Sequence, residues 1–331
     1  MKALVTGATG FIGGHLVDHL LNNGFSVRCL ARSEKKADKL SAAGIEVVIG
    51  DISVLDDLKG ICDGMDYVFH AAAMVNDWGI WDDFAKNTVL GSQNVLRAAL
   101  QSNVGRFVHI SSVDVYDRKY MHQDLPPANE KTLQVHDNWP YYYARAKMLA
   151  EREVMYFAKL GLLTSIIRPA TVYGPGDQTI MPRVIEFLRE QPMLVSNYNP
   201  VVGLIYIDDL VHLCLKAAES QTSVGRAYNA SSDEDISLIK LVHCICSTMN
   251  IAYPKLQLPY WLLSFAVKVF ETYGRITKTE PMLTQGGLEF FTLDQRFDIS
   301  KAQRDLDWHP EVSFTDGFQA YLDSVQKGVS L

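Results

Sequence analysis

The chain has 331 residues, 48% of them hydrophobic and 21% charged, with a formal net charge of -7. That supplies a large core in one domain or two unequal lobes, and 10% aromatic residues exclude wholesale disorder. The acidic balance, without any basic block, excludes nonspecific nucleic-acid binding, and no uninterrupted apolar run is long enough to span a membrane.

Residues 1–5 form an apolar, strand-like run that leads into Thr6-Gly7-Ala8-Thr9-Gly10-Phe11-Ile12-Gly13, before a helical pattern over 13–22. Gly7, Gly10 and Gly13 recur every third residue. Such glycines let the chain turn tightly, approach a pyrophosphate and pack the helix on its strand, while free N–H groups at the helix start hold phosphates. With no segment ahead of the first strand to serve as a signal peptide, a cytoplasmic protein is expected.

A second strand is expected at 26–30. Its end, Val27-Arg28-Cys29-Leu30-Ala31-Arg32, carries Ala31 where a dinucleotide fold usually has an acid for the adenine ribose. Arg28 and Arg32 offer guanidinium groups to a 2′-phosphate instead, which favours NADP(H), with NAD(H) as the alternative. Strands follow at 46–49 and 67–70, with a short helical stretch near 54–59. After the third strand, Asp51-Ile52 is a candidate for the adenosine end; after the fourth, the small side chains of Ala71, Ala72 and Ala73 admit the cofactor backbone. His70 reads as a packed structural histidine. Five cysteines are scattered, and Cys244-Ile245-Cys246 lacks partners at ligand spacing, so no metal is expected.

A helix over 84–101 and a strand over 107–110 lead to Ser111-Ser112. A long helical pattern then runs over 139–160 and contains Tyr143-Ala144-Arg145-Ala146-Lys147. Tyr143 and Lys147 are i,i+4 neighbours on one helix face. A phenol of pKa about 10 is a poor acid–base group near neutrality, and a nearby ammonium favours its ionised form. The alternation of strand and helix predicts an α/β fold with a doubly wound parallel sheet of Rossmann type and a ligand beyond the strands' carboxyl ends.

Further strands are expected at 164–167, 201–207 and 226–229. The cofactor domain is assigned to 1–173, with segments near 201–229 returning to it, and a smaller mixed α/β substrate lobe to 174–200 and 230–310. A C-terminal helix is expected within 311–331. The apolar stretch 258–270 reads as packing or a substrate-side helix, with weak peripheral membrane contact as the alternative.

The glycine turn, Ser112 and the Tyr143/Lys147 pair together resemble the extended short-chain dehydrogenase/reductase family, over nearly the whole chain. The chain looks closest to 3β-hydroxysteroid-dehydrogenase-like and dihydroflavonol-reductase-like members. The resemblance implies that Ser112, Tyr143 and Lys147 are catalytic, and that Asn87 supports an active-site water and lysine network. It also makes Arg168-Pro169-Ala170-Thr171-Val172-Tyr173-Gly174-Pro175 the nicotinamide-side loop, with Pro169, Ala170, Thr171 and Val172 beside the cofactor. Ile205-Tyr206-Ile207-Asp208-Asp209 and Phe297-Asp298-Ile299-Ser300-Lys301-Ala302 resemble later motifs of the family. The expected reaction interconverts a ketone and a secondary alcohol on a small, fairly apolar substrate, with Trp78, Trp81, Met181, Val201, Val202, Trp261 and Phe265 as candidate apolar contacts. The alternatives are a nucleotide-sugar epimerase or dehydratase, with Asp114 as acid and Arg183 and Arg226 as diphosphate contacts, and a non-catalytic cofactor-binding regulator. A homodimer through helical surface at 84–101 and 141–160 is also expected.

Overall fold

In the computed structural model the described residues are 1–76, 78–190, 193–195 (backbone only), 197–279, 281 and 283–327. Seven parallel strands form the main sheet: β1 (Lys2–Thr6), β2 (Ser26–Ala31), β3 (Glu46–Ile49), β4 (Tyr67–His70), β5 (Arg106–Ile110), β6 (Thr164–Pro169) and β10 (Arg226–Ala230), in the order β10-β6-β5-β4-β1-β2-β3. Three-residue strands β7 (Thr171–Tyr173) and β9 (Leu204–Tyr206) form one small parallel pair; β8 (Met193–Val195) and β11 (Leu256–Leu258) form another.

The strands are apolar on both faces because both are covered. Ala3 and Val5 of β1 point into one core and Leu4 into the other, and the same alternation separates Phe69 from Val68 and Ile167 from Ile166. The first core lies under α1 (Phe11–Asn22), the second under two helices that follow later; α2 (Glu34–Ala42) flanks β3.

The expected helix over 84–101 is three segments: α3 (Trp81–Phe84), a π-helical turn (Ala85–Leu90) and α4 (Gly91–Gln101). With α5 (Tyr142–Lys159), α4 packs on the second core. Then come α6 (Ile180–Glu190), α7 (Ile207–Glu219), α8 (Leu238–Met249), α9 (Tyr260–Thr277), α10 (Gln285–Phe290), α11 (Ser300–Leu306) and α12 (Phe314–Gln326). The last of these falls within the expected C-terminal helix, whose residues 328–331 lie outside the described ones.

The motif that opens α7 is a structural staple. Asp209 accepts backbone N–H bonds from Glu311 and Val312 at 3.0 and 3.2 Å, and its carbonyl accepts the indole N–H of the fully buried Trp308 at 3.0 Å. In the main sheet, chain direction along the strand order reverses between β1 and β4, so the crevice at their carboxyl ends is where a ligand is expected.

Candidate active site

The glycine turn lies at that crevice. Gly7 has φ +73°, and a Cβ there would press on the backbone of Ala71 and Ala72, at 3.0 and 2.8 Å. A Cβ on Gly13 would overlap the carbonyl oxygen of Gly7, so helix and turn pack backbone to backbone. The Gly10 N–H is bonded to Gly7 O at 2.9 Å, and no side chain caps the start of α1. Thr9 and Gly10 are exposed and Phe11 and Ile12 half-buried, leaving the uncapped helix start open at the crevice. Four backbone N–H groups at a helix start have no intrahelical partner, and a pyrophosphate supplies the acceptors. These residues fit a dinucleotide. Ala71 and Ala72 stand beside the turn, with the half-buried Ala73 next in the chain, and the Ala72 N–H reaches Thr6 Oγ1 at 3.4 Å.

At the adenosine end the two arginines part company. Arg28 is removed from the candidate set: its Nε donates to Glu46 at 2.7 Å and its Nη1 to the carbonyls of Ile61 and Asp63 at 2.8 and 3.3 Å. The side chain leans toward the segment before β4, away from the strands' carboxyl ends. Arg32 lies one residue past β2, exposed. Burial alone would raise the Asp51 carboxyl, but hydrogen bonds from Ser53 and the charges of Arg32 and Lys86 hold it below its ordinary value. Ile52 is buried against Gly91, and its carbonyl accepts the Asn94 amide at 3.0 Å.

The reacting end is assembled on α5. Lys147 is buried, and its Nζ donates to the carbonyl of Ile110, the last residue of β5, at 2.8 Å. The same Nζ stands 6.0 Å from the centre of the Tyr143 ring. The turn Val113–Val115, which Ser112 caps, packs against α5. Burial pushes the Lys147 ammonium down to about 8, against the opposing pull of Glu151 and Asp114. His70 lies below, its ring bonded to Thr6 and Ser92 at 2.7 and 2.9 Å; burial and then Lys147 push it down to about 3, which makes it a neutral packing group.

The Ser112 hydroxyl donates to Asp114 Oδ2 at 2.8 Å and accepts the Asp114 backbone N–H at 3.1 Å. Asp114 is itself held by Arg118 at 2.9 Å, and Arg118 by Glu289 of α10 at 2.9 Å. Burial pushes Glu289 up, while Arg118 and the Tyr141 hydroxyl pull it back. This chain ties the serine turn to a helix far along the sequence. The pair at 114 and 118 has helical spacing; nothing in the sequence points to Glu289.

The π-turn carrying Asn87 packs on α5, but the Asn87 amide donates to Asp83 O at 2.8 Å within its own helix. A π-turn inside a helix often accompanies a functional site. Pro169 ends β6, Ala170 links it to β7 and donates its N–H to Ala230 O at 2.8 Å, and Thr171 and Val172 begin β7. Arg168 turns away from the crevice into a buried pair with Glu151.

Several expected substrate contacts are corrected. Met181 and Val202 belong to the first core, whereas Trp261 and Phe265 project outward from α9. Val201 is half-buried, and Arg226, at the amino end of β10, is bonded to Asp305 at 2.8 Å. Trp81, the first residue of α3, packs against the start of α5, edge-on to Tyr142 at 5.9 Å and under the Arg145 guanidinium at 3.7 Å. Asp77 of the same loop lies outside the described residues.

A family model described as the NAD dependent epimerase/dehydratase family matches residues 3–231. The chain is 29% identical over 327 residues to a 3 beta-hydroxysteroid dehydrogenase/Delta 5-->4-isomerase of Mycobacterium tuberculosis, covering 93% of this chain and 86% of that protein. It is 28% identical over 332 residues to a 2-alkyl-3-oxoalkanoate reductase of Shewanella oneidensis, covering 96% and 84%. Among solved structures, the crystal structure of gox2253 superposes with a TM-score of 0.81 at 25% identity, over 100% of this chain and 99% of that one.

Proposed function

From the membership of this chain in the NAD dependent epimerase/dehydratase family, as an NAD(P)-dependent enzyme with a Rossmann-type sheet, we propose that it interconverts a ketone and a secondary alcohol on a fairly apolar small molecule. The observation that carries this reading is the buried Lys147 ammonium beside Tyr143, held to the end of β5 next to the Ser112 turn. NAD(P)H supplies the hydride when bound. Gly7, Gly10, Gly13 and the N–H groups of Phe11 and Ile12 hold the pyrophosphate; Ala71 to Ala73 and Pro169 to Val172 flank the crevice. Tyr143 gives its phenolic proton to the substrate oxygen in reduction. Lys147, fixed by Ile110, stabilises the phenolate left behind. Ser112 orients the same oxygen once rotation about its Cβ–Oγ bond turns the hydroxyl proton from Asp114. Asn87 acts as a positioning residue in this reading.

Two features favour this over sugar chemistry. Asp114, the candidate acid for a dehydration, is occupied by Ser112 and Arg118. Arg226, a candidate diphosphate contact, is bound by Asp305 at the opposite end of its strand. The family description keeps epimerisation as the second reading. A panel of aryl, alkyl and sterol-like ketones and nucleotide sugars separates the two. Net NADPH oxidation with a ketone is expected; epimerised sugar without net oxidation of cofactor replaces the reading by the second.

The charge of Lys147 is present below about pH 8 and lost above it. The kcat/KM for reduction, which reports the free enzyme, should therefore fall as pH rises through about 8. The residual activity of Lys147→Met should lack that limb, and an unchanged limb in the variant would contradict the assignment.

NADP(H) preference now rests on Arg32 alone. A guanidinium–phosphate bond is worth about 1.5–3 kcal/mol, so Arg32→Ala should weaken NADPH by about tenfold or more and leave NADH unchanged. Tighter NADH binding by the native protein would defeat the preference. A homodimer through α4 and α5 also belongs to this reading: Met155, Tyr156 and Leu160 stay exposed there. Sedimentation equilibrium checks it, with a monomer at all concentrations as the contrary result.

A further inference from the structure

We infer that α9 docks the protein on an anionic lipid surface, its outward face lying in the headgroup layer. The helix buries only a narrow stripe of Leu263, Val267 and Gly274. On the opposite side Trp261, Phe265, Val269 and Tyr273 follow one another at four-residue spacing, exposed by 69, 64, 49 and 64%, with Leu262 and Ile276 between their rows at 37 and 77%. A surface helix ordinarily turns charged residues outward. Here the outward face is apolar, and a contiguous exposed patch of this kind marks an interaction site.

The charges choose the occupant. Lys268, Arg275 and the C-capping Lys278 are exposed on or beside the helix, while its one acid, Glu271, is half-buried and accepts the Gln285 N–H at 2.9 Å. Three cations against one engaged acid stand out in a chain of net charge -7. Phosphate headgroups neutralise such cations, whereas a two-fold contact between copies would set them against each other. Tryptophan, tyrosine and phenylalanine favour the membrane interface. No helix among the described residues is long and apolar enough to cross a membrane, so α9 would lie on the surface. The helix also rests on the loop before α3: a Cβ on Gly274 would stand 3.2 Å from the Trp78 ring. Trp78 thus lies on the protein side of α9, behind the docked helix.

Co-flotation of the full chain with phosphatidylcholine vesicles, with and without phosphatidylglycerol, tests this without any enzyme assay. Binding is expected only with phosphatidylglycerol and should weaken with salt. The pair Trp261→Ser and Phe265→Ser should lower it by at least about tenfold. The triple change Lys268→Gln, Arg275→Gln and Lys278→Gln should lower it by about tenfold or more. All these side chains are exposed, so unchanged melting temperatures are expected. No flotation, or flotation equal in native protein and both variants, overturns the proposal. So does a Trp261→Ser, Phe265→Ser protein that goes from dimer to monomer without any vesicle binding in the native chain, since the patch then covers a second copy.

Discussion

Tyr143→Phe should lower ketone reduction by about 10²- to 10⁴-fold while leaving cofactor affinity and melting temperature close to native, the range expected when a positioned proton donor is removed. The ring stays, so the stack of α5 on the serine turn and the 6.0 Å approach of Lys147 to that ring are retained. What goes is one transferable proton. The loss should fall on kcat and kcat/KM alike, because the interaction is made in the transition state. Steady-state kinetics together with cofactor titration check this. Near-native turnover would remove Tyr143 from the chemistry, and a loss of cofactor affinity of similar size would make it a binding residue instead.

Glu151→Ala should cost about 3–5 kcal/mol of stability, the effect of stranding a buried charge. Glu151 and Arg168 are joined by two bonds, at 2.9 and 2.6 Å, with side chains only 4 and 7% exposed. The carboxylate also accepts the Gln134 amide at 2.6 Å, and Arg168 donates on to Tyr116, which donates to Asn229 at 2.6 Å. The pair thus joins α5, β6, β10 and the segment after β5. A domain is stable by only about 5–15 kcal/mol, so the single variant should be marginal. Replacing both partners, Glu151→Leu with Arg168→Met, should recover most of the loss because no lone charge remains. Urea denaturation of both proteins measures it; a single-variant cost below about 1 kcal/mol would contradict a desolvated pair.

The strands of the main sheet were legible because a parallel sheet covered on both faces demands short apolar runs, and β3 and β4 begin and end where their patterns do. The glycine turn was legible because only glycine meets the contacts at positions 7 and 13. Other elements left little trace. α2 buries only Ala37, so its charged sequence shows no apolar face, and three-residue strands such as β7 are too short to show a period. The π-turn at 85–90 is hidden within a continuous helical pattern. Arg28 differs from its expected role because sequence gives a position near a strand end but not the direction of its side chain, which Glu46 and two carbonyls take the other way. Trp261 and Phe265 show the same limit, since periodicity reveals an apolar face without saying what it meets. Arg118 and Glu289 meet across a separation of 171 residues, which no local pattern encodes.

On the proposed function, Tyr143, Lys147 and Ser112 serve net hydride transfer to a ketone carbon. Incubating the enzyme with NAD(P)H deuterated at C4 and a ketone panel, then weighing the alcohols formed, tests it most directly. One deuterium on the carbinol carbon, abolished in Tyr143→Phe, is the predicted result. Label that never leaves the cofactor, while a nucleotide sugar is epimerised with no net oxidation, would contradict it.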